Sequence, residues 1–227
     1  MIPLSDTIRS RTVPVVNIGL IITCVVVYLL QLTDASMMEK LAFRPSYLVS
    51  HDFWQVGPVR VCFAMLVSIF MHGGLLHIGS NMLFLWIFGD NVEDRLGHGR
   101  YLVFYLICGI AATIAHSLSA VFGLFIGAAA TLSMPVIGAS GAIAGVLGAY
   151  LVLCPQSSIR SLVVLIFFIT VINIPAPLFI VFWFILQIFN GLGSLGGLGG
   201  GVAYWAHIGG FVAGYLLARN TTSWQRR

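Results

Sequence analysis

Charged residues are scarce in this chain. Only 8% of its 227 residues are Asp, Glu, Lys or Arg, whereas 59% are hydrophobic and the mean hydropathy is +1.01. A soluble domain cannot bury that much apolar surface, so the composition excludes one and predicts a polytopic membrane protein. The net charge of +4 comes from basic residues scattered at the ends of apolar segments. Because they form no basic stripe, we expect no nucleic-acid partner, and orientation in the membrane explains the charge.

The sequence also lacks cysteines, histidines and carboxylates at the spacing that metal ligands require. The four cysteines are Cys24, Cys62, Cys108 and Cys154. Three of them lie within or at the end of apolar runs, where cysteine usually behaves as a small buried hydrophobe. The sequence has no His-Glu-x-x-His, and no carboxylate or cysteine stands at ligand spacing from its histidines. We therefore expect no metal and no cofactor.

Six apolar segments are predicted to span the membrane as helices. They are residues 13–32, 75–89, 101–121, 140–153, 177–190 and 202–218. Aromatic residues in the connector 33–71 suit the headgroup region, so this connector is predicted to be interfacial. Pro175 and Pro177 prevent one straight helix, and residues 161–173 are expected to form a re-entrant or interfacial helix. The glycine-rich residues 191–201 are expected to form a flexible loop.

This arrangement predicts an all-α bundle with one membrane domain, residues 13–219. A short N-terminal segment, 1–12, precedes it and a tail, 220–227, follows it. With six spans, eight basic residues would lie on one side of the membrane and three on the other. Basic residues accumulate on the cytoplasmic side, so both termini are predicted to be cytoplasmic.

A few polar residues stand within or beside these apolar segments. They are His72, His77, Asn81, Ser140 and His207. Polar and ionisable groups are costly at membrane depth, which makes each a candidate functional residue. Ser140 lies in Gly138-Ala139-Ser140-Gly141-Ala142, at the predicted start of the fourth span. Unpaired N–H groups and the helix dipole at such a start could stabilise an oxyanion. A serine that merely caps the helix is the alternative.

His207 lies near the start of the sixth span. Gly210 and Gly214 share its helix face, and the fourth span carries a matching strip of small residues: Gly141, Ala144, Gly145 and Gly148. Two such faces allow close helix packing, which would bring Ser140 and His207 to the same end of adjacent helices. A histidine within hydrogen-bond reach of a serine is the minimal activated nucleophile. A histidine that only links helices is the alternative.

The second span supplies further polar groups. His77 and Asn81 are four residues apart and therefore share one helix face. Their N–H groups would suit an oxyanion hole. His72 lies off that face and is expected to orient or cap. No Asp or Glu occurs in the second, fourth or sixth predicted span, so the histidine is expected to act in a dyad with the serine.

These motifs resemble those of the rhomboid family of intramembrane serine proteases. The resemblance rests on Gly138-Ala139-Ser140-Gly141, on His72-x4-His77-x3-Asn81, on Ala206-His207-x2-Gly210-x3-Gly214 and on the turn Glu93-Asp94-Arg95-Leu96-Gly97. It covers nearly the whole chain. It implies a six-helix rhomboid-like bundle in a bacterial inner membrane, surrounded by lipid, whose substrates are transmembrane segments of other proteins.

The resemblance also implies roles for single residues. Ser140 would be the nucleophile, His207 the general base, and His77, Asn81 and the Ser140 backbone the oxyanion hole. Many rhomboids carry an aromatic residue one turn after the serine, against which the base stacks, but this sequence has Ala144 there. Phe211 or Tyr204 is expected to hold His207 instead.

Two other functions stay open at the level of the sequence. One is a catalytically silent rhomboid-like protein that binds transmembrane helices. The other is a small transporter, for which proline-broken helices and polar groups at the midplane are typical. The presence of both Ser140 and His207 favours the protease over the silent protein.

Overall fold

A computed structural model describes residues 1–49, 57–125, 132–165, 168–195 and 202–225. The helices in these ranges are α1 (Val15–Thr33), α2 (Met37–Leu41), α3 (Ser46–Val49), α4 (Pro58–Ser68), α5 (Leu75–Leu96), α6 (His98–Phe125), α7 (Ser140–Leu153), α8 (Ala176–Leu195) and α9 (Tyr204–Gln225). The strands are β1 (Ile2–Asp6), β2 (Ser158–Leu165) and β3 (Phe168–Pro175). The predicted helical membrane bundle is confirmed, with a small sheet added to it.

The central helix of the bundle is α7. All ten residues from Gly141 to Tyr150 are buried, so this helix is apolar on every side and enclosed by protein. It packs against α5, α6, α8 and α9. The peripheral helices α1, α6 and α8 instead expose large apolar side chains, such as Leu29, Leu118 and Phe189. Such surfaces are suited to contact with lipid, because the hydrocarbon of a bilayer is as apolar as they are.

Within the described part of the chain, three helices are long and apolar enough to cross a membrane: α1, α6 and α8. Each of the six predicted spans coincides with one helix, because α5, α7 and α9 lie over the remaining three. However, α5 ends in an acidic turn, and α7 has only 14 residues. The count of six spans therefore stays a prediction.

The acidic turn at the end of α5 holds the beginning of α1. Glu93 is buried, and its carboxylate accepts the backbone N–H of Val16 at 3.0 Å and that of Asn17 at 2.7 Å. It thereby satisfies two of the donors that a helix N-terminus leaves unpaired. The turn ends at Gly97, whose φ of +81° favours glycine. This part of the rhomboid-like sequence pattern thus fixes α1 against α5.

The helix predicted for residues 161–173 is wrong. The described parts of this segment, residues 161–165 and 168–173, lie in the antiparallel strands β2 and β3, and β1 pairs with the other edge of β2. Its many β-branched residues, among them Val163, Val164 and Ile169, favour a strand. A continuous apolar run has no periodicity that separates strand from helix. Since β2 follows α7 and β3 leads into α8, the sheet lies at the end of α7 opposite Ser140.

Two other segments differ from expectation. Residues 191–195, predicted to belong to a flexible loop, continue α8, while residues 196–201 of that loop lie outside the described residues. Helix α9 reaches Gln225 and so extends into the predicted tail. The connector 33–71 contains α2, α3 and α4, and its residues 50–56 are also outside the described part of the chain.

Candidate active site

Ser140 and His207 lie side by side at the beginnings of two packed helices. Ser140 is the first residue of α7, and His207 is in the first turn of α9. The distance from Ser140 Oγ to His207 Nε2 is 2.8 Å, which is a hydrogen bond. His207 is only 9% exposed. The pair has the geometry of a hydroxyl whose proton a neighbouring imidazole can accept.

The two residues meet because the backbones of α7 and α9 approach closely. A Cβ atom added to Gly210, Gly214 or Gly148 would clash with a backbone carbonyl oxygen, that of Gly141, Gly145 and Phe211 respectively. A Cβ on Gly145 would crowd the side chain of Cys108 on α6. The predicted small-residue strips therefore lie against one another. Glycine allows the backbones of α7 and α9 to come closer than any residue with a side chain would.

The loop before Ser140 is held in place by Ser68 at the end of α4. The Ser68 carbonyl accepts the N–H of Gly138 at 2.9 Å, and the Ser68 hydroxyl accepts the N–H of Phe43 at 2.7 Å. Gly138 has a φ of +118°, and a Cβ there would lie 2.6 Å from Nε2 of His77. Glycine is required at this position both for its backbone conformation and for space.

His77 and Asn81 are both close to Gly138, as the shared helix face predicts. The N–H of Gly73 donates to Nδ1 of His77 at 3.3 Å, so the ring proton of the neutral imidazole belongs on Nε2, which faces Gly138. Asn81 is 6% exposed, and its Nδ2 has no hydrogen-bond partner among the described residues. Two N–H donors thus lie next to the loop that carries the serine.

His72 supports this arrangement from the segment between α4 and α5. Its backbone exchanges two hydrogen bonds with the side chain of Gln31 on α1, at 3.0 and 3.1 Å. Its Nδ1 donates to the carbonyl of Phe70 at 3.2 Å. The ring meets that of His77 edge to face, with centroids 5.2 Å apart. These contacts attach His72 to α1 and place its ring against that of His77. The histidine that hydrogen-bonds Ser140 is His207, not His72.

Sequence reasoning missed Gln187 and Trp183, which both reach His207 from α8. Gln187 Oε1 lies 2.8 Å from His207 Nδ1, and the amide is 8% exposed. The Trp183 ring lies beside the imidazole, with centroids 5.9 Å apart and planes tilted by 34°. One signal was available, since Gln187 is the sole amide side chain between Ala176 and Phe189.

The expectation that Phe211 or Tyr204 holds His207 is met in part, because Tyr204 contacts the imidazole and Trp183 adds a contact from α8. Tyr204 does approach the imidazole, edge to face at 6.4 Å. Phe211, the other candidate, packs against Trp183 at 6.4 Å and stacks on Phe184 at 4.1 Å. The aromatic rings beside the base are thus Trp183 of α8 and Tyr204 of α9, and neither lies on α7, the helix that carries Ala144.

Of two cavities in the structure, one lies beside Ser140 and the other lies far from it. One of about 20 Å³ adjoins Ser140 and is lined in part by Ser68 and Thr113. Another of about 480 Å³ lies at the sheet, beside Asp6 and Arg160, far from the serine. Among the described residues, no three His, Cys, Asp or Glu side chains are grouped to hold a metal ion.

Comparison with known proteins identifies related chains. The model of a family described as the Rhomboid domain matches residues 59–223. The chain is 35% identical over 156 residues to rhomboid protease GluP of Bacillus subtilis (strain 168), which covers 67% of this chain and 25% of GluP. It is 27% identical over 217 residues to rhomboid protease GlpG of Serratia proteamaculans (strain 568), covering 94% of this chain and 64% of GlpG.

A third relative is named as a rhomboid-like protein rather than as a protease. Over 96 residues the chain is 31% identical to the mitochondrial presenilin-associated rhomboid-like protein of Bos taurus, covering 42% of this chain and 24% of that protein. The chain spans less than two thirds of the length of each of these three relatives. Together with the apolar helices α1, α6 and α8, the matches identify an integral membrane protein.

Proposed function

Because this chain belongs to the rhomboid family, we propose that it is an intramembrane serine endopeptidase with Ser140 as nucleophile and His207 as base. The observation that carries the proposal is the 2.8 Å hydrogen bond between Ser140 Oγ and His207 Nε2. Relatives named as rhomboid proteases support hydrolysis of peptide bonds as the reaction.

The reaction begins when Ser140 Oγ attacks the carbonyl carbon of a peptide bond and His207 Nε2 accepts the hydroxyl proton. The C–N bond then breaks. The imidazolium gives its proton to the departing amine, and the acyl group stays on Ser140 as an ester. A water molecule that loses its proton to Nε2 attacks this ester and frees the second product, and the proton returns to the serine oxygen.

The oxyanion formed in both halves of the reaction needs hydrogen-bond donors. We assign Asn81 Nδ2, His77 Nε2 and the Ser140 backbone N–H to this task. The first two flank Gly138, and the third lies at the start of α7, where N–H groups have no partner within the helix. Because Asn81 Nδ2 is buried without a partner among the described residues, binding an oxyanion would remove the cost of leaving that donor unsatisfied.

Hydrolysis of the ester requires water at membrane depth. The cavity of about 20 Å³ beside Ser140 has room for about one water molecule. Ser68 and Thr113 are among the residues that line it, so its lining includes polar residues. A water held there would be next to the ester carbonyl.

The substrates we propose are transmembrane segments of membrane-anchored proteins. Apolar residues such as Ile69, Val136 and Ala203 surround the serine, and lipid-facing helices surround the bundle. A hydrophobic segment could therefore reach the site from the bilayer without crossing a polar surface. We further propose a bacterial inner membrane with both termini in the cytoplasm, and retain residues 13–219 as one membrane domain.

The direct test is labelling of the purified protein in detergent with a fluorophosphonate, which reacts with activated serines. We expect labelling of the wild type and none of Ser140→Ala. Ser119→Ala serves as a matched control, because Ser119 lies in α6 and its hydroxyl donates to the carbonyl of His116. Labelling that persists in Ser140→Ala would refute the assignment. A folded wild type that does not label would favour the catalytically silent alternative.

A further inference from the structure

Gln187 makes a second hydrogen bond that fixes the direction of its amide. Its Nε2 donates to the carbonyl of Trp183, one turn earlier in α8, at 3.3 Å. Because the NH2 group is engaged with its own helix, the oxygen Oε1 is the atom that faces His207, 2.8 Å from Nδ1. An amide oxygen only accepts hydrogen bonds, so Nδ1 of His207 must be the donor.

We propose that Gln187 is the positioning residue of the base: it holds His207 in the tautomer with its proton on Nδ1 and its lone pair on Nε2. This inference rests on the proposed function, because its value lies in preparing Nε2 for the proton of Ser140. A neutral imidazole has two tautomers, and the hydrogen bond at one nitrogen decides which is present. In the other tautomer, Nε2 would carry a proton and could not accept one.

The choice of an amide rather than a carboxylate suits the position. In a serine–histidine–aspartate triad, a buried carboxylate orients the imidazole and stabilises its charged form. Gln187 is 8% exposed within an apolar helix, where an unpaired carboxylate would be costly to bury. The amide dipole supplies the same orientation without a net charge, and its oxygen still faces the imidazolium that forms during the reaction.

Trp183 and Gln187 act on the imidazole from the same face of α8. They are four residues apart, so they lie on one side of the helix. The indole lies beside the ring at 5.9 Å, while the amide binds one edge of it. Side chains of α8 thus restrain both the plane of the His207 ring and its rotation. This pair explains how His207 can be held although position 144 is alanine.

The test compares Gln187→Leu, which lacks an acceptor, with Gln187→Glu, which keeps an acceptor oxygen in either protonation state. Asn190→Leu, an exposed position on α8, is the matched control. We expect Gln187→Leu to lower kcat on a transmembrane substrate by about 10–100-fold, by analogy with the effect of losing a group that orients a metal-binding histidine. KM should stay near its wild-type value, and Gln187→Glu should recover most of kcat.

A second readout does not depend on activity. ¹⁵N-histidine NMR of the full chain in detergent, with His207 assigned by comparison with His207→Gln, distinguishes the two tautomers. The wild type and Asn190→Leu should show the proton on Nδ1, and Gln187→Leu should show a mixture. Thermal unfolding of each variant identifies any that fails to fold.

The outcomes separate the two proposals. If the wild type holds the Nδ1 proton and Gln187→Leu loses it, but the wild type neither cleaves nor labels, the positioning role stands and the protease assignment fails. If the wild type is active and Gln187→Leu keeps both its kcat and its tautomer, the positioning role is overturned. A failure of Gln187→Glu to recover kcat while the tautomer is restored would also overturn it.

Discussion

Gly214 of α9 lies directly against the carbonyl oxygen of Gly145 in α7, so closely that a Cβ on Gly214 would clash with that oxygen. This contact sets the distance between the helices that carry His207 and Ser140. We expect Gly214→Ala to push the helices apart and to cost about 1–3 kcal/mol of stability, the usual range for overpacking. Displacement of the base by about 1 Å could also lower kcat by about 100-fold.

The measurements for this variant are the thermal unfolding midpoint in detergent and kcat on a transmembrane substrate. Gly19→Ala is a suitable control, because Gly19 lies in α1 and a Cβ there would meet nothing within 4 Å. This control should leave both quantities near their wild-type values. If Gly214→Ala were as stable and active as Gly19→Ala, another contact would have to set the helix separation.

A second prediction concerns how Ser140 and His207 act together. We expect Ser140→Ala and His207→Ala each to lower kcat by more than about 10³-fold, because either change removes the activated nucleophile. The double variant should be no worse than the single variants, since members of one catalytic unit are not additive. The measurement is turnover of a model transmembrane substrate. Losses that multiply in the double variant would mean that the two residues act in separate steps.

A third prediction tests the oxyanion hole through Asn81. Loss of one such donor typically lowers kcat by about 10²–10³-fold, and we expect Asn81→Ala to fall in this range without abolishing labelling by a fluorophosphonate. Ser80→Ala is the control, because Ser80 is the exposed neighbour of Asn81 and its hydroxyl donates to the carbonyl of His77. Turnover at the wild-type level in Asn81→Ala would assign the donor role to another residue.

The meeting of Ser140 with His207 could be predicted because the information is local to each helix. Glycines at the spacing of one helix face predict close helix packing. The apolar run that begins after Gly138 indicates where α7 begins. The hairpin of β2 and β3 could not be predicted in this way. Its apolar run fits a helix or a strand equally well, and pairing with β1, which lies more than a hundred residues away in sequence, is a tertiary feature.

Gln187 shows a different limit of the sequence. Its partner His207 lies on the next helix, and the spacing between them carries no helical or strand periodicity. A lone amide in an apolar segment signals a buried hydrogen bond but does not name the partner. The partner depends on how α8 rotates against α9, which packing decides. The sequence shows that position 144 is alanine where many rhomboids have an aromatic residue. It does not show that Trp183 of α8 lies beside His207 instead, because that contact depends on how the helices pack.

A fourth prediction concerns the orientation of the chain in the membrane. Reporter fusions after Asp94 and Arg160 should report the cytoplasm, and a fusion after Lys40 should report the opposite side, since basic residues accumulate on the cytoplasmic side. Gly197 and Arg227 lie outside the described residues, and fusions there should report the far side and the cytoplasm respectively. A cytoplasmic signal after Gly197 would contradict the six-span arrangement that puts His207 and Ser140 at the same depth.

The last prediction concerns Asp6, which joins the sheet to the bundle. Its carboxylate accepts hydrogen bonds from the hydroxyl of Tyr150 at 2.5 Å and from the amide of Asn91 at 2.8 Å. Partial burial raises the pKa of Asp6 above its ordinary value, and the hydrogen bond from Tyr150 opposes the rise. A carboxyl group whose pKa is higher in the folded state stabilises the fold most when it is protonated.

This stabilisation should be complete below the ordinary aspartate pKa of about 3.9 and should be lost as the pH rises through the higher folded-state pKa. We therefore expect the unfolding midpoint in detergent to fall more steeply over this pH window in the wild type than in Asp6→Asn. The asparagine does not titrate, yet its oxygen can still accept from Tyr150 and Asn91. All other titrating groups are common to both proteins, so the difference between the two curves reports Asp6 together with its effect on neighbours such as Asp90, whose pKa the Asp6 charge helps to raise. Parallel curves would mean that the pKa of Asp6 is the same in the folded and unfolded states.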